Sequence, residues 1–228
     1  MEEYLILIIF HLLGDFYLQT TKITQCKDCS KINEEYLFIH SSIYIIPFLI
    51  LYFLMTNVYA TTTICVLFVT HILIDGVSCY FDKKYKQTVI FFVNQVLHIG
   101  IICFLPRFIT FNCHIVECNY IAFKIVFVAL MLITPCSIMI SKIFQDIYPQ
   151  SIEMGVFDIG SIIGIMERIL TFIFACFESF SAIAIIITVK TWARTNDLKE
   201  PEFRNKYLLG TLTSLVLALI TFVIYQAI

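Results

Sequence analysis

Charge is what this sequence has least of. Only 14% of its 228 residues are Asp, Glu, Lys or Arg, where a soluble domain carries about 25%. Fifteen basic against 17 acidic residues leave a net charge of −2, and no basic tract stands out, so no nucleic-acid partner is expected. A basic leader is missing as well: the chain opens with Glu2 and Glu3, and no cleaved signal peptide is expected. The nine cysteines build no disulfide framework. Cys26 and Cys29 form a lone C-x-x-C with no second pair nearby, on a loop expected in the reducing cytosol.

Apolar residues fill the space that charge leaves. They make up 60% of the chain, the mean hydropathy is +0.89, and several runs exceed the roughly 18 residues that mark a membrane-crossing helix. The expected fold is all-α, a polytopic transmembrane bundle. Hydropathy draws spans at about 3–20, 36–55, 58–80, 87–107, 120–140 and 206–227. The stretch from Phe157 to Arg194 is too long for one simple span. Lys22, Lys27 and Lys31 mark the first loop as cytosolic, and Lys83, Lys84 and Lys86 mark the third. Lys190, Arg194, Lys199, Arg204 and Lys206 then require a break near CFESFS, Cys176 to Ser181. This gives about eight helices in a multi-pass cell-membrane protein with both termini outside; seven is the alternative if no break exists. Residues 1–110 form the half that carries His and Asp, and residues 111–228 the C-terminal helical half of the same membrane domain.

Inside the apolar runs, ionisable residues recur at one spacing. His11 and Asp15 fall in FHLLGDFYLQT, His71 and Asp75 in THILIDG, and Asn94 and His98 in VNQVLH, each pair four residues apart. Four residues make about one helical turn, so each pair shares a face. At a rise of about 1.5 Å per residue, His11 and His71 lie roughly 13 Å inside the cytosolic boundary, and Asp15 and Asp75 roughly 7 Å. The fourth span runs the other way, which puts Asn94 first and His98 deeper. His40 stands in the first turns of the second span. Ionisable residues at such depths are costly and face the bundle interior.

No Lys or Arg within the first four spans can neutralise Asp15 and Asp75. The balancing charge is left to a protonated His, a proton or a metal. Imidazole nitrogens and carboxylate oxygens suit zinc, and also manganese or iron. A divalent cation, zinc first, is the expected cofactor, held by His11, His71, Asp75 and His98. Asp15 or His40 is expected as base or orienter, with Asn94, Gln95 and Gln19 steadying the ligands through hydrogen bonds. Such an ion lowers the pKa of a bound water to about 7. The plain alternative at each position is a helix-to-helix hydrogen bond, and it weighs most at His40, close to the interface.

These residues resemble an uncharacterised bacterial membrane family, a domain of unknown function with HLLGDF-x-LQ, then H, then H-x-x-x-D, then D-Q-x-x-H. The matches are HLLGDFYLQ at His11 to Gln19, His40, HILID at His71 to Asp75, and NQVLH at Asn94 to His98. Asn94 departs from the pattern's Asp: its amide oxygen can coordinate, but it cannot serve as a base. GSIIGIMERIL, VKTWAR and YLLGTLTS extend the likeness over nearly the whole chain. The resemblance implies a bacterial inner-membrane location. More loosely, His and Asp on membrane helices are similar to the integral-membrane metal-dependent hydrolases of phospholipase-C-like zinc chemistry, and that likeness implies hydrolysis.

The second half carries fewer signals. Arg168, Lys190 and Arg194 are expected to bind an anionic head group or phosphate. The alternatives are that Arg168 meets Asp15 or Asp75, and that Lys190 and Arg194 only set topology. Gly160 and Gly164, just after Gly155, have the spacing of close helix packing, and Pro47 and Pro135 are expected to kink their spans.

Three functions follow as expectations. The first is a metal-dependent hydrolase acting at the cytosolic leaflet on a lipid-linked or phosphorylated substrate. The second is a proton- or cation-coupled transporter that uses the same His and Asp residues. The third is a non-catalytic assembly protein whose polar cluster holds the helices together.

Overall fold

The computed structural model describes residues 2–18, 34–54, 60–81, 84–105, 114–149 and 159–228. Gln19, Cys26, Cys29 and Gly155, with Lys22, Lys27, Lys31, Lys83 and Arg107, lie outside the described residues. Within them every secondary-structure element is helical. Helix α1 (Glu2–Leu12) continues into a π-helical turn over Leu13–Tyr17. It is followed by α2 (Glu34–Leu54), α3 (Ala60–Phe81), α4 (Gln87–Phe104), α5 (His114–Ile147), α6 (Ile159–Cys176), α7 (Phe180–Ala193) and α8 (Pro201–Ala227). The helical bundle expected from hydropathy is the one that forms. Five segments are long and apolar enough to cross a membrane: Thr61–Phe81, Gln87–Phe104, Asn119–Ile147, Ile159–Cys176 and Pro201–Ala227. Three shorter apolar helical segments accompany them.

The break expected near CFESFS lies at Phe177–Ser179. There Ser179 N–H donates to the Phe174 carbonyl at 2.8 Å and Glu178 N–H to that of Ala175 at 3.0 Å, the paired bonds of a Schellman ending. Glu178 takes the left-handed conformation this ending needs, with φ of 54°. Helix α5 runs past the expected limit near residue 140 because its last polar residues have partners on α4. Lys142 Nζ donates to Gln87 Oε1 at 2.9 Å. The Asp146 carboxylate accepts the backbone N–H groups of Gln87 at 2.7 Å and Thr88 at 2.9 Å. It thereby caps the start of α4, where Lys86 contributes no side-chain cap.

Burial departs from that of a water-soluble protein at both extremes. His11, His40, His71, His98 and Arg168 are buried, while Val66, Val69, Leu73, Val77 and Tyr80 line an exposed stripe on α3. Helix α8 presents a similar stripe through Leu208, Leu212, Val216, Ile220 and Val223. This is the distribution expected of a bundle solvated by hydrocarbon. In such a solvent apolar burial would supply little driving force, and shape fit and interhelical hydrogen bonds would hold the helices.

Helix α1 packs against α2, α4 and α5, and its Leu5, Ile6, Leu7 and Ile9 are all buried. Gly14 lets the π turn press on α2: a Cβ there would stand 2.6 Å from the Tyr44 carbonyl oxygen. Pro135, inside α5, cannot donate a backbone N–H, and neighbouring carbonyls find outside donors. Tyr17 Oη donates to the Leu130 carbonyl at 2.7 Å and Arg168 Nε to that of Leu132 at 2.7 Å. The end of the π turn and the middle of α6 are thereby fixed to the same stretch of α5.

Candidate metal centre

Four helices deliver polar side chains to one buried point. The π turn brings Asp15, α2 brings His40, α3 brings His71 and Asp75, and α4 brings Asn94, Gln95 and His98. His40 Nε2 and His71 Nε2 lie 3.1 Å apart. Asp75 Oδ2 is 3.0 Å from the first and 3.4 Å from the second, and Asp15 Oδ1 is 3.5 and 4.0 Å from them. Ligand bonds of about 2.0–2.1 Å put neighbouring donors on one ion roughly 3.0–3.4 Å apart, for octahedral and tetrahedral geometry respectively. The observed separations start within that range and extend to 4.0 Å, and groups of these donors could hold a metal ion. The donors fall into two overlapping groups of three: Asp15, His40 and His71, and His71, Asp75 and His98.

Hydrogen-bond directions assign the remaining residues. A carboxylate only accepts, so His98 Nε2–H donates to Asp75 Oδ1 at 3.3 Å. With both rings neutral, His98 Nδ1 then accepts from His71 Nδ1–H at 3.4 Å. That leaves the lone pair of His71 on Nε2, facing His40 and the two carboxylates. A second chain runs toward Asp15. Tyr44 Oη donates to His11 Nδ1 at 3.3 Å, and His11 Nε2–H donates to Gln95 Oε1 at 3.2 Å. Gln95 Nε2 donates to Asp15 Oδ2 at 2.8 Å and to Asn94 Oδ1 at 3.1 Å. Asn94 Nδ2 donates to Asp75 Oδ1 at 2.9 Å and to Ser78 Oγ at 2.9 Å. Each carboxylate therefore has one oxygen held by α4 and the other turned toward the imidazole pair.

This geometry redistributes the roles expected from sequence. His71, Asp75 and His98 stand together as a three-donor group. His11, expected among the ligands, instead spends both ring nitrogens on Tyr44 and Gln95. Asp15 and His40, expected as base or orienter, stand at the donor pair. Asp15 stands in the π turn, where Leu18 N–H reaches back five residues to the Leu13 carbonyl at 3.0 Å. Asn94 and Gln95 donate hydrogen bonds to the carboxylates. Asn94 is a donor to Asp75, a task an Asp could not perform while ionised.

Two participants carry no obvious sequence signal. The Tyr44 ring stacks on His71 with centroids 3.7 Å apart and planes 3° from parallel, and Ser78 accepts from Asn94. Both follow the spacing rule, Tyr44 four residues after His40 and Ser78 three after Asp75.

In the second half, Arg168 meets neither Asp15 nor Asp75. It is buried against α5 and α8, bonded to the Leu132 carbonyl, to Ser137 Oγ at 2.6 Å and to Ser214 Oγ at 3.4 Å. Lys190 pairs with Glu167 at 2.6 Å, and the exposed Arg194 with Asp197 at 3.3 Å.

The fold and this centre define a class: an all-helical bundle with a buried His/Asp cluster on its first four helices. The chain belongs to the family described as Protein of unknown function (DUF3307), whose model matches residues 4–123. Every residue of the cluster falls inside that match. No curated protein and no solved structure matches the chain.

Proposed function

We propose that the chain is a membrane-embedded metalloenzyme, in which Asp15, His40, His71 and Asp75 hold one divalent cation for hydrolysis of an amphiphilic, lipid-linked or phosphorylated substrate at the cytosolic leaflet. One observation carries the metal reading. Asp75 Oδ2, His71 Nε2 and Asp15 Oδ1 lie 3.0, 3.1 and 3.5 Å from His40 Nε2, a convergence of carboxylate and imidazole donors of the kind that a shared cation holds together.

Magnitudes argue against a purely structural cluster. An Asp in a membrane helix costs about 2.5–3.5 kcal/mol on insertion scales, whereas an interhelical hydrogen bond returns about 0.6 kcal/mol on average. Neutral Asn and Ser would hold the helices at far smaller cost than two carboxylates. The hydrolytic reading rests on access and coordination. Octahedral ions keep two positions open beyond four protein donors, and zinc expands to five. An open position admits a water whose pKa the ion lowers to about 7. The Asp75 side chain is 13% exposed against 1% for His40 and His71. A centre reached from within the bilayer would favour a substrate with an acyl or prenyl tail. Zinc is the first candidate, since nitrogen and oxygen donors in equal number suit it.

Elemental analysis of detergent-purified protein tests the reading. About one ion per chain is expected in the wild type, and none in His71→Ala or Asp75→Ala. Equal metal content in wild type and both variants would remove the metal centre, and the hydrolase with it.

A further inference from the structure

Arg168 is a charge deep in the bundle that no described carboxylate pairs with. Only 3% of it is exposed, and its partners are carbonyl and hydroxyl oxygens: Leu132, Ile133, Ser137 and Ser214. Buried charges are normally paired, because a lone one forfeits its hydration without recompense. The guanidinium carries five N–H groups, and four bonds engage them unequally. Nε and one Nη2 hydrogen make bonds of 2.7 and 2.6 Å, whereas Nη1 has only Ser214 at 3.4 Å.

Arg168 lines a small, partly open cavity between α6, α7 and α8, together with Glu167, Thr171, Lys190, Thr211 and Ser214, with about 20 Å³ of space. That volume holds about one water-sized atom group, so a single oxygen can reach the guanidinium while the rest of its group stays in the open mouth. Charge narrows the class. Lys190 and Glu167 cancel each other, which leaves the excess of one positive charge on Arg168. A mono-anion balances it, and a dianion would overload it beside Glu167.

Helix length sets the depth of the mouth. Helix α7 has 14 residues, about 21 Å at 1.5 Å per residue, against about 30 Å of hydrocarbon. Lys190 lies three residues before its end at Ala193, so this end of the cavity is within a turn of the polar loop that begins at Arg194. We infer that the α6–α7–α8 cavity is a binding site for a singly charged oxyanion, of which the phosphodiester of an anionic phospholipid is the favoured source, with Arg168 as its charge partner and Thr171, Thr211 and Ser214 as hydroxyl contacts. The site is independent of the metal centre and of any activity there.

The test uses full-length protein in detergent, titrated with phosphatidylglycerol, with inorganic phosphate, and with diacylglycerol as the uncharged control, following thermal stability and bound phosphorus. Saturable stabilisation by phosphatidylglycerol, absent with diacylglycerol, is expected. Arg168→Gln should weaken it about tenfold, the loss of one charge-assisted hydrogen bond. Because Arg168 also holds the α5 carbonyls and its removal can disturb folding, Thr211→Leu serves as the second variant. It fills the cavity, removes no charge, and should abolish the effect in a protein that still elutes as the wild type does. Saturation by inorganic phosphate instead would identify a soluble oxyanion at the same site. Equal stabilisation by diacylglycerol, or an undiminished response in Thr211→Leu, would overturn the assignment.

Discussion

His71 can use Nε2 as a ligand only while its hydrogen stays on Nδ1, and His98 on another helix keeps it there. That dependence makes the residues around the donors as informative as the donors themselves. Asn94 is the sharpest case. Its amide donates to Asp75 Oδ1 at 2.9 Å, and an Asp in its place would set two carboxylates in contact. Without a cation those charges repel; with one they add to its attraction. Asn94→Asp is therefore expected to lower the melting temperature of metal-stripped protein and to enlarge the rise on adding metal. A rise no larger than that of the wild type would mean that no cation lies near Asp75. Tyr44→Phe keeps the ring on His71 and deletes only the hydroxyl that orients His11. It should cost about 1 kcal/mol of stability and weaken metal binding without abolishing it, as a metal titration of the purified variant would record. The i, i+4 spacing of His11/Asp15, His71/Asp75 and Asn94/His98 was enough to name most of this centre. It did not name Tyr44: the ring stands four residues after His40, but it is one of 12 tyrosines in a chain that also has 22 phenylalanines, and an aromatic at that spacing reads equally well as one that meets lipid.

At the level of elements, hydropathy and loop charge located each helix and required the α6–α7 break, because a long apolar run bounded by basic residues permits few foldings through a membrane. The π turn was invisible to the same reasoning, since any spacing rule assumes a regular helix. HLLGDF does carry its signature in Gly14, read only once the neighbour is known. A Cβ at Gly14 would collide with the backbone of α2 at Tyr44, where no flexible side chain can yield. Gly14→Ala should accordingly push the turn off α2, cost about 1–3 kcal/mol, and reduce metal affinity because Asp15 moves with the turn. Unchanged affinity and melting temperature would show the contact to be slack. Glu178 gives a prediction of opposite sign. It holds φ of 54° where glycine is at ease, and its side chain is exposed. Glu178→Gly should stabilise the protein by up to about 1 kcal/mol, visible as a higher melting temperature with metal content unchanged.

For the molecule as a whole, the question between an enzyme and a carrier turns on whether the centre can be reached from both sides. Toward the partly exposed Asp75, Ser78 and Asn94 the polar residues continue. In the other direction the chain of hydrogen bonds ends at Tyr44, whose neighbours Leu7, Ile45, Phe48, Leu67, Ile102 and Leu105 form one buried apolar cluster. A carrier of charged species needs polar groups along its entire path, because a bare ion in hydrocarbon is prohibitively costly. Reconstituted vesicles make the distinction. With a trapped fluorescent indicator and zinc or manganese added outside, the vesicles should stay dark at the rate of protein-free ones, even though the same preparation binds about one ion per chain. A protein-dependent signal that disappears in His71→Ala would make the centre a transport site, and the apolar cluster would then have to be a gate that opens.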